Sequence, residues 1–187
     1  MEIRLEGVVG DDFTAQGLAS DLQEAGGPVD VIVNSIGGSA FEGAACYAEL
    51  RAHPVPVTVR IRGVAASAAS LLAMGGDTVL IAPAAVMMIH DPLSITIGNA
   101  DVHRQTIEML DQLSTTYARA YAEGSGNPER LIRQWMAAES WITDEEAVSL
   151  GFADALEPEP EPATDFPSAT ALAHRPAAFI AQPVFTI

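Results

Sequence analysis

Ser67 and His90 are the residues best placed to do chemistry. Ser67 follows a strand pattern over residues 57–62 and the turn at Gly63. It opens the apolar helical run Ser70-Leu71-Leu72-Ala73-Met74. Such a strand–turn–helix junction can expose a serine hydroxyl. Small alanine neighbours let a second backbone come close, and amides at a helix start can stabilise negative charge. The same position is also an ordinary N-cap, where a serine only satisfies a helix amide. His90 ends the apolar run Val86-Met87-Met88-Ile89 and precedes a loop, a usual place for a site residue in a layered α/β domain, although a histidine there can equally be structural. Of the other histidines, His53 lies in a Pro-rich turn, His103 on the polar side of a long helix and His174 near the C-terminus. A serine with an imidazole base performs acyl transfer, given a group that orients the base and donors for the oxyanion.

Composition narrows the alternatives. The chain has 187 residues, 49% of them apolar, enough for one domain with a sizeable core. The formal net charge is −16, which argues against nucleic-acid binding and against an anionic membrane surface. Every basic residue is Arg, so a Ser–Lys dyad, a Schiff-base lysine and a P-loop lysine are all excluded. Cys46, the single cysteine, sits in a helical pattern among Ala44, Ala45 and Tyr47 and reads as a packed residue, without a base or cation to activate it. No H-E-x-x-H and no Cys/His cluster has ligand spacing, so neither a metal nor another cofactor is expected. No run resembles a signal peptide or a membrane span, which makes cytoplasmic residence the expectation.

The elements that must position Ser67 and His90 follow from periodicity and punctuation. Residues 2–6 alternate as a half-buried strand, ended by Gly7 to Gly10. A helix over 14–25 carries Leu18 and Leu22 on one face and stops at Gly26-Gly27-Pro28. Residues 29–33 form a buried strand leading into a tight loop, Asn34-Ser35-Ile36-Gly37-Gly38-Ser39. That loop lacks the spacing of a dinucleotide fingerprint, but two glycines allow close backbone approach and leave amides free to donate. A helix over 41–52, the strand at 57–62, the Ser67 helix and strands at 78–81 and 86–90 follow. Residues 93–98 read as a β-rich stretch. A long helix over 100–122 carries Ile107, Leu110, Leu113, Tyr117 and Tyr121 at helical spacing, as core or as a seam between subunits. Another helix spans 128–138, Thr143 to Glu146 reads as a capping box, and 152–156 as a last strand. Glu–Pro repeats from Glu157 mark a boundary between a domain of residues 1–156 and a linker and tail of residues 157–187.

Three blocks carry a family resemblance: Asn34-Ser35-Ile36-Gly37-Gly38-Ser39, Gly63-Val64-Ala65-Ala66-Ser67 and Met88-Ile89-His90-Asp91-Pro92. In order and spacing they resemble the signature blocks of the ClpP-type serine peptidases, and Trp141-Ile142-Thr143-Asp144-Glu145-Glu146-Ala147 with Gly151-Phe152-Ala153-Asp154 resembles the C-terminal block. The nearest flavour is the phage and prophage branch of head-maturation proteases. The resemblance implies an α/β spiral of repeated ββα units, of the ClpP/crotonase type, with a protruding helical handle. It implies Ser67 as nucleophile, His90 as general base, and the amides of Gly38 and Ala68 as the oxyanion hole. Backbone at Gly37, Ser39 and Leu93 would pair with an extended substrate peptide. The family's acid is usually Asp just before the tryptophan block; here that position holds Glu139. Asp91 adjoins His90 but lies on the opposite face of an extended chain, and Asp144 belongs to the capping box. Ile36 stands where the family usually has proline before the paired glycines.

The resemblance further implies a polypeptide substrate and a homo-oligomer of one ring or stacked rings. The chain begins almost at its first strand, without the segment that forms axial loops in ATP-dependent members, so an ATPase unfoldase partner is a weaker expectation than the peptidase chemistry. Two other readings are a crotonase-like acyl-CoA enzyme, which would use the glycine amides but not the Ser67–His90 pair, and a non-catalytic scaffold subunit. Activity should fall in mild acid, because the base must be neutral.

Overall fold

Three neighbouring strands bend in the same row, and that bend creates the platform for the site. In the computed structural model, which describes residues 1–158, β1 (Glu2–Val9), β2 (Val29–Gly38) and β3 (Val57–Ala66) are adjacent and parallel. Register shifts fall between Gly7 and Val8 on β1 and between Val33 and Ser35 on β2. Gly63 takes φ 97° at the matching level of β3, and a side chain there would meet the Asn34 amide oxygen at 2.7 Å. Amides displaced at the bend are answered by side chains: Val8 N donates to Asp12 Oδ2 at 2.7 Å and Val64 N to Asn34 Oδ1 at 3.3 Å.

Upstream of the bend, β3 pairs with β4 (Thr78–Ile81), which pairs with β7 (Ala155–Leu156). Downstream, Val64 to Ala66 of β3 pair with β5 (Val86–Ile89), and β5 pairs antiparallel with β6 (Ser140–Thr143). One strand thus feeds two arms of the sheet. The helices are α1 (Ala15–Glu24), α2 (Ala40–Ala52), α3 (Ala68–Ala73), α4 (Ala100–Ser125), α5 (Glu129–Ala137) and α6 (Asp144–Ser149). All six residues of α3 are buried, and Gly43 lets α2 press onto Ala68. The core combines β-branched strand residues with Leu71, Leu72, Tyr121 and Phe152. Helix α4, about 39 Å long at 1.5 Å per residue, buries only Tyr117, Ala118, Ala120 and Tyr121. Its first turns project beyond the core.

This is the expected α/β architecture with a projecting helix, with local corrections. Residues 34–38 belong to β2 and are not a loop: β1 supplies backbone partners through Gly38, and β3 one more at Ser35, so the glycines bend the strand without ending it. Strand β1 likewise runs through Gly7 to Val9. Residues 93–98 form no strand; their Leu93, Ile95 and Ile97 are exposed. The last strand is only Ala155–Leu156, and Trp141 lies in a strand that periodicity does not announce. The capping box at Thr143 and Glu146 is present. No helix among the described residues is long and apolar enough to cross a membrane. The Glu–Pro repeats beyond Pro158 and the tail lie outside the described residues.

Candidate active site

Ser67 ends the downstream half of β3 and starts α3 with φ 57° and ψ −125°, a conformation sparsely occupied by residues other than glycine. It stands in the N-cap position, but its side chain makes no capping hydrogen bond. Its Oγ lies 2.7 Å from His90 Nε2, within hydrogen-bond distance of a ring nitrogen that can accept its proton in the Nδ1–H tautomer. The turn therefore presents the hydroxyl to a base and leaves the helix uncapped. His90 arrives by way of β5, whose pairing with Val64 to Ala66 brings its end beside the turn. Ser67 N also donates to Met88 O at 2.8 Å, locking the serine to the residue two before the histidine.

Gly37 and Gly38 approach from β2. A Cβ at Gly37 would lie 2.7 Å from both Ala66 O and Ser67 Cβ, so only glycine fits against the turn. Gly38 lies on the edge of the cleft that holds Ser67 and His90. Ala68 is the first residue of α3, and its amide has no acceptor within the helix. Ser39 caps α2, accepting from Glu42 N at 3.4 Å. The cleft has a volume of about 380 Å³, and Phe41, Leu93, Met109, Leu110 and Leu113 give it apolar walls. A larger groove of about 830 Å³ runs past Arg60, Arg62 and Glu157. Arg60 and Arg62 there pair with Asp30 and Glu157, and none of its lining residues is a serine, cysteine or histidine.

Glu139 stands apart from the pair. It is exposed, sits at φ 50° just past the end of α5, and its carboxylate takes no hydrogen bond among the described residues. Its backbone place is close: Ile89 pairs with Ser140 in the antiparallel ladder, so the next step outward sets His90 against Glu139. Asp91 turns to α4 and accepts from Ser114 Oγ at 2.5 Å. Asp144 accepts from Ala84 N at 2.8 Å, and that backbone bond holds its carboxyl below the usual range. Of the other described histidines, His53 caps the end of α2 and His103 is exposed on α4. Cys46 is buried, and desolvation, reinforced by Glu42 and Glu49, pushes its thiol up to about 11. At neutral pH it is an inert thiol.

Two polar residues of the site's foundation escape sequence reading. Ser70 and Tyr121 are fully buried, with their hydroxyls 2.8 Å apart beneath the Ser67 turn. Nothing local marks them: Ser70 is one residue of an apolar helix, and Tyr121 is one step of the α4 stripe. That stripe is divided, with Tyr117 and Tyr121 in the core, Leu110 and Leu113 lining the cleft, and Ile107 exposed.

Comparison with known proteins places the fold in a family. The family model described as Clp protease matches residues 4–159. The ATP-dependent Clp protease proteolytic subunit 1 of Chlamydia caviae is 28% identical over 141 residues, covering 73% of each chain. The ATP-dependent Clp protease proteolytic subunit of Pleurastrum terricola is 30% identical over 131 residues, 69% of this chain and 67% of the relative. The subunit of the same name from Ligilactobacillus salivarius is 29% identical over 160 residues, 82% of this chain and 81% of the relative. The fold and site define a peptidase-type α/β domain. The chain belongs to the Clp protease family. A crotonase-like acyl-CoA enzyme and a non-catalytic scaffold are not favoured.

Proposed function

We propose that the protein is a serine endopeptidase in which Ser67 is the nucleophile and His90 the general base. The contact that carries this reading is Ser67 Oγ to His90 Nε2, 2.7 Å, at a strained turn. His90 takes the Ser67 proton as Oγ attacks a peptide carbonyl, then delivers it to the leaving amine. Water, deprotonated by His90, releases the acyl group and restores Ser67. The Gly38 and Ala68 amides receive the oxyanion, a contribution of roughly 10²–10³ in rate for each donor. An extended substrate pairs with backbone at Gly37, Ser39 and Leu93, and the apolar cleft wall receives an apolar side chain. Glu139 is the acid that orients His90. Its support is the ladder position opposite the histidine and its own left-handed backbone, the kind of strain that gathers at functional sites.

The substrate is a polypeptide and the working form a homo-oligomeric ring. Within this reading, capsid or scaffold processing is the finer substrate class, resting on the likeness of the three signature blocks to the phage branch. The relatives' names speak of ATP dependence; residues 1–187 contain no lysine and so no P-loop lysine. A fluorophosphonate probe with intact-mass detection tests the chemistry. One adduct on the native protein and none on Ser67→Ala is expected. No adduct on the native protein, or equal labelling of Ser67→Ala, would sink the reading.

A further inference from the structure

We propose that Ser70 and Tyr121 form a buried hydroxyl pair that positions the Ser67–His90 dyad and ties it to α4. The proposal rests on the serine-peptidase reading and concerns how its reactive pair is held. Ser70 Oγ lies 2.7 Å from Ser67 O, 2.8 Å from Met88 O and 2.8 Å from Tyr121 Oη. It thus touches the carbonyl of the nucleophile itself and the carbonyl two residues before the base. Those two residues are already joined by Ser67 N donating to Met88 O. The hydroxyl completes a small knot between the end of β3 and the end of β5.

Proton counting assigns the roles. Ser70 has one proton for two carbonyls and needs a donor for its own oxygen. Tyr121 supplies it at 2.8 Å, while its distance to Ser67 O is longer, 3.4 Å. Burial pushes the Tyr121 phenol far above its ordinary value, so it stays a donor. Packing does not require either oxygen. Tyr121 is the largest fully buried side chain and meets Tyr117 and Phe152 by ring edges at centroid distances of 6.1 Å, contacts a phenylalanine would keep. One helical turn earlier, Tyr117 donates to Ala40 O at 2.8 Å, just past the Gly38 strand. The same stretch of α4 therefore grips the backbone on both sides of the cleft.

Ser67 holds its hydroxyl toward His90 through a strained backbone, and the surrounding structure must over-determine such a conformation. Removing a hydroxyl of the pair lets the turn relax, and a displacement on the order of 1 Å costs about 10²-fold in rate. Neither residue touches substrate; both are positioning residues.

The test compares native protein, Tyr121→Phe, Ser70→Ala and the double variant by peptide hydrolysis, fluorophosphonate labelling rate and thermal melting. Each single variant should lower kcat by roughly 10- to 100-fold, with KM within about twofold and labelling slowed in proportion. The double variant should be no slower than the worse single one, because the pair acts as a unit. A labelled native protein with Tyr121→Phe and Ser70→Ala at native rates would overturn the positioning role alone. So would a loss confined to KM, or to the melting temperature. An unlabelled native protein would overturn the peptidase reading and the positioning role with it. If Tyr121→Phe fails to fold, Ser70→Ala decides, since it leaves the aromatic packing in place.

Discussion

The two halves of the site are held in different ways. On the nucleophile side, Ser67 is fixed by its amide bond to Met88, by the Ser70 hydroxyl at its carbonyl and by Gly37 pressed against its Cβ. On the acid side, Glu139 is exposed, and its carboxylate takes no hydrogen bond among the described residues. The first half is partly buried and over-determined; the second is placed by ladder register alone. Both halves carry a non-glycine residue at positive φ, Ser67 at 57° and Glu139 at 50°. The difference lies in what surrounds them: neighbours on three elements hold Ser67, whereas the Glu139 side chain is exposed and takes no hydrogen bond among the described residues.

The sharpest way to break this contrast is to delete the Ser67–His90 pair. Ser67→Ala and His90→Ala should each lower kcat on the order of 10⁶-fold, and the double variant should be no worse, because one proton transfer joins them. Steady-state peptide hydrolysis with a melting curve for each variant checks this. Ser67→Ala should melt close to the native protein, since the serine provides no helix cap. Additive losses would show that the two side chains do not work as a unit.

The same contrast explains what could be read from sequence. Ser67 and His90 were legible because their chemistry depends on residue type at the ends of strongly patterned elements. The glycines at 37 and 38 were legible as a place of close approach but not as strand, because local punctuation reads as a loop while pairing with β1 decides otherwise. Residues 93–98 differ in the opposite direction: they read as a β-rich stretch, and no pairing within the described residues makes them a strand. The four residues of β6 are too few for periodicity, and their place is set by β5, about 50 positions away. Ser70 and Tyr121 were invisible because their meaning lies in a contact across 51 positions.

Glu139 sharpens the comparison from the other side. If its carboxylate stays as exposed as it is here, its attraction to a protonated His90 is worth about 0.2–1 kcal/mol, as for surface pairs. Glu139→Gln should then lower kcat by roughly fivefold at most, leave KM unchanged, and remain labelled by the phosphonate probe. A loss near 10⁴-fold, the size seen when a buried orienting acid is removed, would break the contrast. It would show that the working assembly draws the carboxylate onto His90 and that both halves are equally constrained. Progress curves across a range of protein concentrations separate these outcomes, because assembly is the step that could move the acid.

The smallest effect concerns how the acid side closes back on the sheet. After β6 and α6 the chain reaches β7, and Glu157 then meets Arg62 at 2.6 Å and Arg60 at 3.3 Å, both on β3. The hydrogen bond from Arg62, with the neighbouring positive charge, holds the Glu157 carboxyl below its ordinary value. A depressed folded-state value gives stability that is present above the unfolded glutamate range and is lost as pH falls through the folded value. The native protein should therefore lose melting temperature on acidification below about pH 4.5. Glu157→Gln should lower the melting point by a few degrees at neutral pH and flatten the acid limb, with Ser67 labelling unchanged. Identical acid limbs for native and variant protein would show that the Glu157 ion pairs add nothing measurable, and that β6 and β7 are held by their ladders to β5 and β4 and by packing. The looseness on the acid side would then be confined to the Glu139 side chain.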